Sequence, residues 1–114
     1  MSDCLFCRIA NGEIPAKIAF QNERAVAFYD INPQAPTHVI IIPRKHIPTV
    51  NDISEEDHDL MGYLYEVANK IAADTSLTDS GFRLVVNCKR SAGQEVFHLH
   101  IHMLGGRDFG WPPG

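Results

Sequence analysis

The sequence predicts an α+β domain: an antiparallel sheet of about five strands backed by one long and one short helix. Three observations carry this. Runs rich in β-branched and aromatic residues recur at 17–22, 25–31, 38–42, 82–87 and 96–104. One segment, 54–76, carries the 3.6-residue apolar stripe of an amphipathic helix. Short polar connections between runs suit antiparallel neighbours. At 114 residues, the chain 1–114 is a single domain, large enough for a real core and too small for two.

The elements follow in order. "CLFCRIANGEI" suits a short helix closed by Gly12, with Pro15 behind it. "KIAFQN" and "AVAFYDI" are strands joined by the polar turn Asn22-Glu23-Arg24, and "NPQAPTH" is a proline-bearing loop. "HVIII" is a β-branched run ended by Pro43, as expected of a strand buried on both faces. In the long helix Ser54 can cap the N-terminus, Glu55, Glu56 and Asp57 suit the positive end of its dipole, and Leu60, Leu64, Val67 and Ile71 form the stripe. "FRLVVN" and "VFHLHIHML" are the last strands, with "CKRSAGQE" read as a loop between them.

Composition narrows the function. The formal net charge of −4 disfavours a nucleic-acid polymer as partner, because a polyphosphate backbone demands a basic stripe. A mononucleotide needs only a few donors. The start, "MSDCLFCRIANG", lacks a basic region followed by an apolar core, and the densest apolar run, "VIIIP", is far too short to span a membrane. Three cysteines do not make a disulfide scaffold, so a reducing, cytoplasmic setting is expected.

The chemistry concentrates in "FHLHIHMLGG". On a strand His98, His100 and His102 share one face, and Leu99, Ile101 and Met103 the other. Such histidines can share a zinc ion. Alternatively, one imidazole is a nucleophile tuned by its neighbours, which suits two-step phosphoryl or nucleotidyl transfer. Spacing alone leaves both open. Nearby, "SAGQE" can aim backbone N–H groups at an anion, Asn87 ends the preceding strand, and Asp30 is placed to accept from sugar hydroxyls.

"AFYDINPQAPTHVIIIP" followed by "GQEVFHLHIHMLGGR" resembles the histidine-triad (HIT) family, and most closely its Hint branch of purine nucleoside phosphoramidases. The signature, histidines alternating with apolar residues, falls on His98-Leu99-His100-Ile101-His102-Met103-Leu104, and the likeness runs to the terminal "WPPG". It implies a HIT-like homodimer whose two sheets join into one, acting on purine nucleoside 5′-phosphoramidates. His100 would be the nucleophile, forming a nucleotidyl-histidine. His102 would contact the phosphate or leaving group, and His38 would orient or relay protons around the triad. Asp30 would hold the ribose, with Ile31, Phe6, Leu5, Ile9, Ile14 and Phe28 forming an apolar slot for the base. Asn87 and Gly93-Gln94-Glu95 would take the phosphate and leaving-group side, and the tail with Trp111 would reach the partner's site. No cofactor is required for catalysis. Two other readings within reach are a HIT hydrolase of dinucleoside polyphosphates and a non-catalytic nucleotide-binding scaffold.

Glu95 departs from the serine of animal-type relatives; an ionised carboxylate cannot donate to a departing amine but can attract a cationic one. "CLFC" offers two thiolates at zinc-ligand spacing. Some relatives with this pair hold structural zinc, which by that likeness would use Cys4, Cys7, His46 and His98 here. His58 and Cys88 read as ordinary surface and strand-end residues.

Overall fold

A computed structural model describes residues 3–114. Among these, five strands form one antiparallel sheet in the order β1-β2-β3-β5-β4, with β1 at Ile18–Gln21, β2 at Ala25–Tyr29, β3 at Thr37–Pro43, β4 at Phe82–Val85 and β5 at Ile101–Gly105. Strands β2 and β3 lie in the interior of the sheet and are buried along nearly their whole lengths. Alternation sorts their side chains. Ala25, Ala27, Val39 and Ile41 face one side with Ile101 and Met103, while Val26, Phe28, Ile40 and Ile42 face the other.

The first face is covered by α2, His58–Asp74, through Leu64, Val67, Ala68, Ile71 and Ala72. The second receives α1, Leu5–Ala10, through Phe6. Helix α1 ends as its glycine predicts: Gly12 takes a φ of +77°, its N–H reaches the Ile9 carbonyl, and the Glu13 N–H reaches Arg8 at 2.9 Å. The sheet thus divides the domain into a helix-packed core and a second, half-open face.

Three expectations are corrected in detail. Ser54 does not start α2 directly: Glu55–Asp57 form a 3₁₀ turn first, with the Asp57 carboxylate accepting from the Ser54 N–H at 3.0 Å. The 88–95 loop contains a short helix, α3, Lys89–Ala92. The last strand does not begin at Val96, because laddering to β3 and β4 starts only at Ile101. His98 and His100 therefore precede the sheet, though Leu99 still enters the helix-packed core.

Candidate active site and metal cluster

On the second face lies a cleft of about 530 Å³. Its apolar walls come from α1 and its sequel (Leu5, Phe6, Ile9, Ile14) and from the sheet (Phe28, Ile40), with Ile31 at the rim. Phe6 meets Phe28 edge-on at 5.4 Å between ring centres and His100 at 5.0 Å. The polar wall comprises Asp30, Asn32, Gln34, His38, Glu95, His100 and His102, with Gly93 beside them. Among the described residues, no lysine or arginine lines it.

Hydrogen bonds fix the histidine tautomers. The Gln34 N–H donates to His38 Nδ1 at 3.0 Å. His38 therefore carries its proton on Nε2 and donates it to His102 Nδ1 at 2.9 Å. Asp30 Oδ2, 3.5 Å from the same His38 nitrogen, reinforces that tautomer. His102 is left with Nε2–H as the donor it can offer a ligand. His100 runs the other way: its Nδ1–H donates to the His98 carbonyl at 2.8 Å, so Nε2 keeps the lone pair of a nucleophile.

Charge states agree with this chain. Burial pushes the His100 and His38 imidazoles below their ordinary pKa, against the opposing pull of Asp30. His102 falls furthest, to about 4, through burial and then the neighbouring His100 and His38. All three rings are neutral at pH 7, His100 with a bare Nε2 and His102 with an Nε2–H.

A second cluster lies beside the first. Cys4 Sγ and Cys7 Sγ stand 3.3 and 3.4 Å from His98 Nδ1, His46 Nδ1 is 3.4 Å from Cys7 Sγ, and the two Nδ1 atoms are 3.2 Å apart. Four donors around a tetrahedral zinc would be separated by about 3.6 Å from sulfur to nitrogen and about 3.3 Å between nitrogens. The cluster fits that polyhedron. His98 supports it, since its Nε2–H donates to the Pro43 carbonyl at 2.8 Å and frees Nδ1 as a ligand. Asp30, His38 and His102 also converge within 4.8 Å. Yet His38 cannot ligate through Nε2 while Nδ1 accepts the Gln34 N–H, so that trio suits hydrogen bonding rather than a metal.

Two expected phosphate-side residues stand differently. Gln94 is buried and turned into its own loop: Oε1 accepts the Lys89 N–H at 2.7 Å, and Nε2 donates to the Pro48 and Val96 carbonyls. Asn87, two residues past β4, is half-buried and is not among the residues walling the cleft. Conversely, Gln34 went unnoticed in the sequence because its backbone N–H does the work. The available signal was "DINP": Asp30 Oδ1 accepts the Asn32 N–H at 2.8 Å, an Asx turn that shapes the loop.

The whole is a five-stranded α+β domain with one bare imidazole nitrogen and one imidazole N–H beside an apolar slot. Residues 11–109 match the HIT domain. The chain is 49% identical over 112 residues to an uncharacterized HIT-like protein of Synechocystis, covering 98% of this chain and 97% of that one. It is 47% identical over 108 residues to the purine nucleoside phosphoramidase of Escherichia coli K12, covering 95% and 91%. Among solved structures, a HIT family hydrolase from Legionella pneumophila superposes with a TM-score of 0.96 at 51% identity, covering 98% of this chain and all of that one. A histidine triad protein from Clostridium difficile gives 0.93 at 42% identity, covering 96% of each. The chain belongs to the HIT family.

Proposed function

We propose that the protein hydrolyses the P–N bond of purine nucleoside 5′-phosphoramidates. The observation that carries this reading is the tautomer pair: His100 Nε2 bare and His102 Nε2–H available in one cleft. The base occupies the slot of Phe6, Phe28 and Ile31, and Asp30 accepts from the ribose hydroxyls. Gly93 and Glu95, which line the cleft, take the phosphate side. His100 Nε2 attacks phosphorus and the P–N bond breaks, the amine leaving on a nitrogen protonated from solvent. His102 Nε2–H donates to a phosphoryl oxygen as charge builds there. Water then attacks the nucleotidyl-histidine, releasing the nucleoside monophosphate and returning a proton to solvent. No step draws on a cofactor.

Cys4, Cys7, His46 and His98 hold a structural zinc in this reading, clear of the reacting atoms. The molecule is a homodimer joined at the β4 edge of the sheet, next to which Val86 is exposed. Phe109, flanked by the Arg83 and Arg107 guanidinium groups, then aims the Trp111 tail at the partner. No helix among the described residues is long and apolar enough to cross a membrane.

The test incubates the protein and a His100→Ala variant with adenosine 5′-phosphoramidate, following AMP release and the mass of trapped nucleotidyl-protein. Turnover and an AMP adduct are expected in the wild type alone. No turnover by the wild type overturns the activity, and equal turnover by both overturns the nucleophile.

A further inference from the structure

The metal-ligand cluster and the catalytic cleft share structural members. His98 places its ring among the sulfurs of Cys4 and Cys7 and lends its carbonyl to His100 Nδ1–H. Residues 96–100 have no strand pairing of their own, since the β5 ladder begins at Ile101. Besides the His98 ring, the Leu99 N–H to Ile47 carbonyl bond of 2.6 Å ties this segment down, and Ile47 adjoins His46. Cys4 is also the N-cap of α1, its sulfur accepting from the Cys7 N–H at 3.4 Å. Helix α1 in turn carries Phe6, which packs against the His100 ring and walls the slot.

We infer that Cys4, Cys7, His46 and His98 act as positioning residues for catalysis, a bound metal fixing the His100 imidazole through the His98 carbonyl and the slot wall through α1. This rests on the reading of the cluster as a zinc site. The physical reason is that a six-residue helix is too short to hold itself. An unladdered segment beside it has few backbone bonds to keep a ring within the tolerance that attack requires. Four metal bonds tie α1, the 43–47 turn and the 97–100 segment into one unit. The ladder-held side of the cleft, with His38 and His102, does not depend on it.

The experiment compares zinc-loaded protein with protein stripped by a chelator and with stripped protein given zinc back. It reads zinc content, AMP affinity, nucleotidylation of His100, and amide hydrogen exchange along the chain. Stripping is expected to speed exchange in residues 4–10 and 96–100 while β2, β3 and α2 stay protected. AMP binding should weaken and nucleotidylation should slow on the order of tenfold to a hundredfold, both restored by zinc. A His46→Cys variant keeps four ligands and should still take up zinc and keep the slow exchange of residues 4–10 and 96–100. Unchanged exchange and AMP affinity after stripping overturn the coupling while leaving the zinc site standing. Exchange rising throughout β2, β3 and α2 overturns it too, in favour of a general folding role. A protein that takes up no zinc overturns both. If no phosphoramidate is turned over, AMP binding and exchange still decide the coupling, separately from the proposed activity.

Discussion

Protonation of His102 should cost the folded state stability in a defined window. The folded imidazole takes a proton only near pH 4, whereas an unfolded histidine does so near 6.5. Between these values the unfolded chain binds more protons, so stability rises with pH across the window and is flat above it. A fall from 6.5 to about 4 is worth about 3 kcal/mol at 1.4 kcal/mol per tenfold, shared with the coupled rings of His38 and His100. The perturbation is His102→Asn, which removes the titration while keeping a polar side chain. Denaturant unfolding at several pH values from 7.5 to 4 measures the gap between the two proteins, at one protein concentration in case association contributes. Far-UV circular dichroism of α2 is the probe, because Trp111 is 84% exposed and senses little of the fold. The wild type should lose up to about 3 kcal/mol relative to the variant between pH 7 and 4. Parallel curves would refute the claim that this ring is folded in its neutral form.

Ring-nitrogen NMR should report His102 as the Nε2–H tautomer and His100 as the Nδ1–H tautomer, with His102 still neutral at pH 5.5; a His102 protonated on Nδ1 would break the Gln34–His38–His102 chain. Gly106→Ala places a Cβ 2.9 Å from the Pro36 Cβ at a φ of +93°, so it should cost about 1–3 kcal/mol and lower Tm by several degrees in a thermal scan. An unchanged Tm would mean that this turn yields freely. The Asp57 carboxylate, held below its usual range by Lys45 Nζ at 2.6 Å and then by the Ser54 N–H, favours folding above the ordinary carboxylate pKa and loses that effect as pH falls through its own lower value. Acid titration should therefore shrink the stability gap between wild type and Asp57→Asn, and a gap constant to pH 2 would show that the ion pair is inert.

Much of the architecture was legible because burial on a sheet imposes period two and burial on a helix period 3.6. Val39 to Ile42 read as a strand buried on both faces, and Leu64, Val67 and Ile71 as a helical stripe, for that reason alone. Alternation also put His100 and His102 on the face opposite Ile101 and Met103, as found. What the pattern could not show was where pairing stops. Leu99 and Ile101 alternate correctly with the histidines, yet only Ile101 is laddered, since pairing depends on partners far away in sequence. The four-residue α3 was hidden for a related reason: it is too short to carry a period, and its first residue, Lys89, sits at a φ of +68°. Gln94 misled differently, because a polar side chain in a loop has the same appearance whether it meets a ligand or its own backbone.

The three alternating histidines differ in what their second nitrogen meets. His98 gives its Nε2–H to the Pro43 carbonyl and turns Nδ1 to the sulfurs. His100 gives its Nδ1–H to the His98 carbonyl and keeps Nε2 as a base. His102 accepts on Nδ1 from His38 and keeps Nε2–H as a donor. One residue type at strict spacing thereby presents a ring nitrogen turned to two sulfurs, a bare ring nitrogen and a ring N–H, with backbone carbonyls and one neighbouring ring deciding which is which. Substitution at any of the three should then leave different defects. Losing His98 should disturb α1 and His100 together, losing His100 should remove the covalent step with the slot intact, and losing His102 should leave attack possible but the phosphoryl charge poorly met.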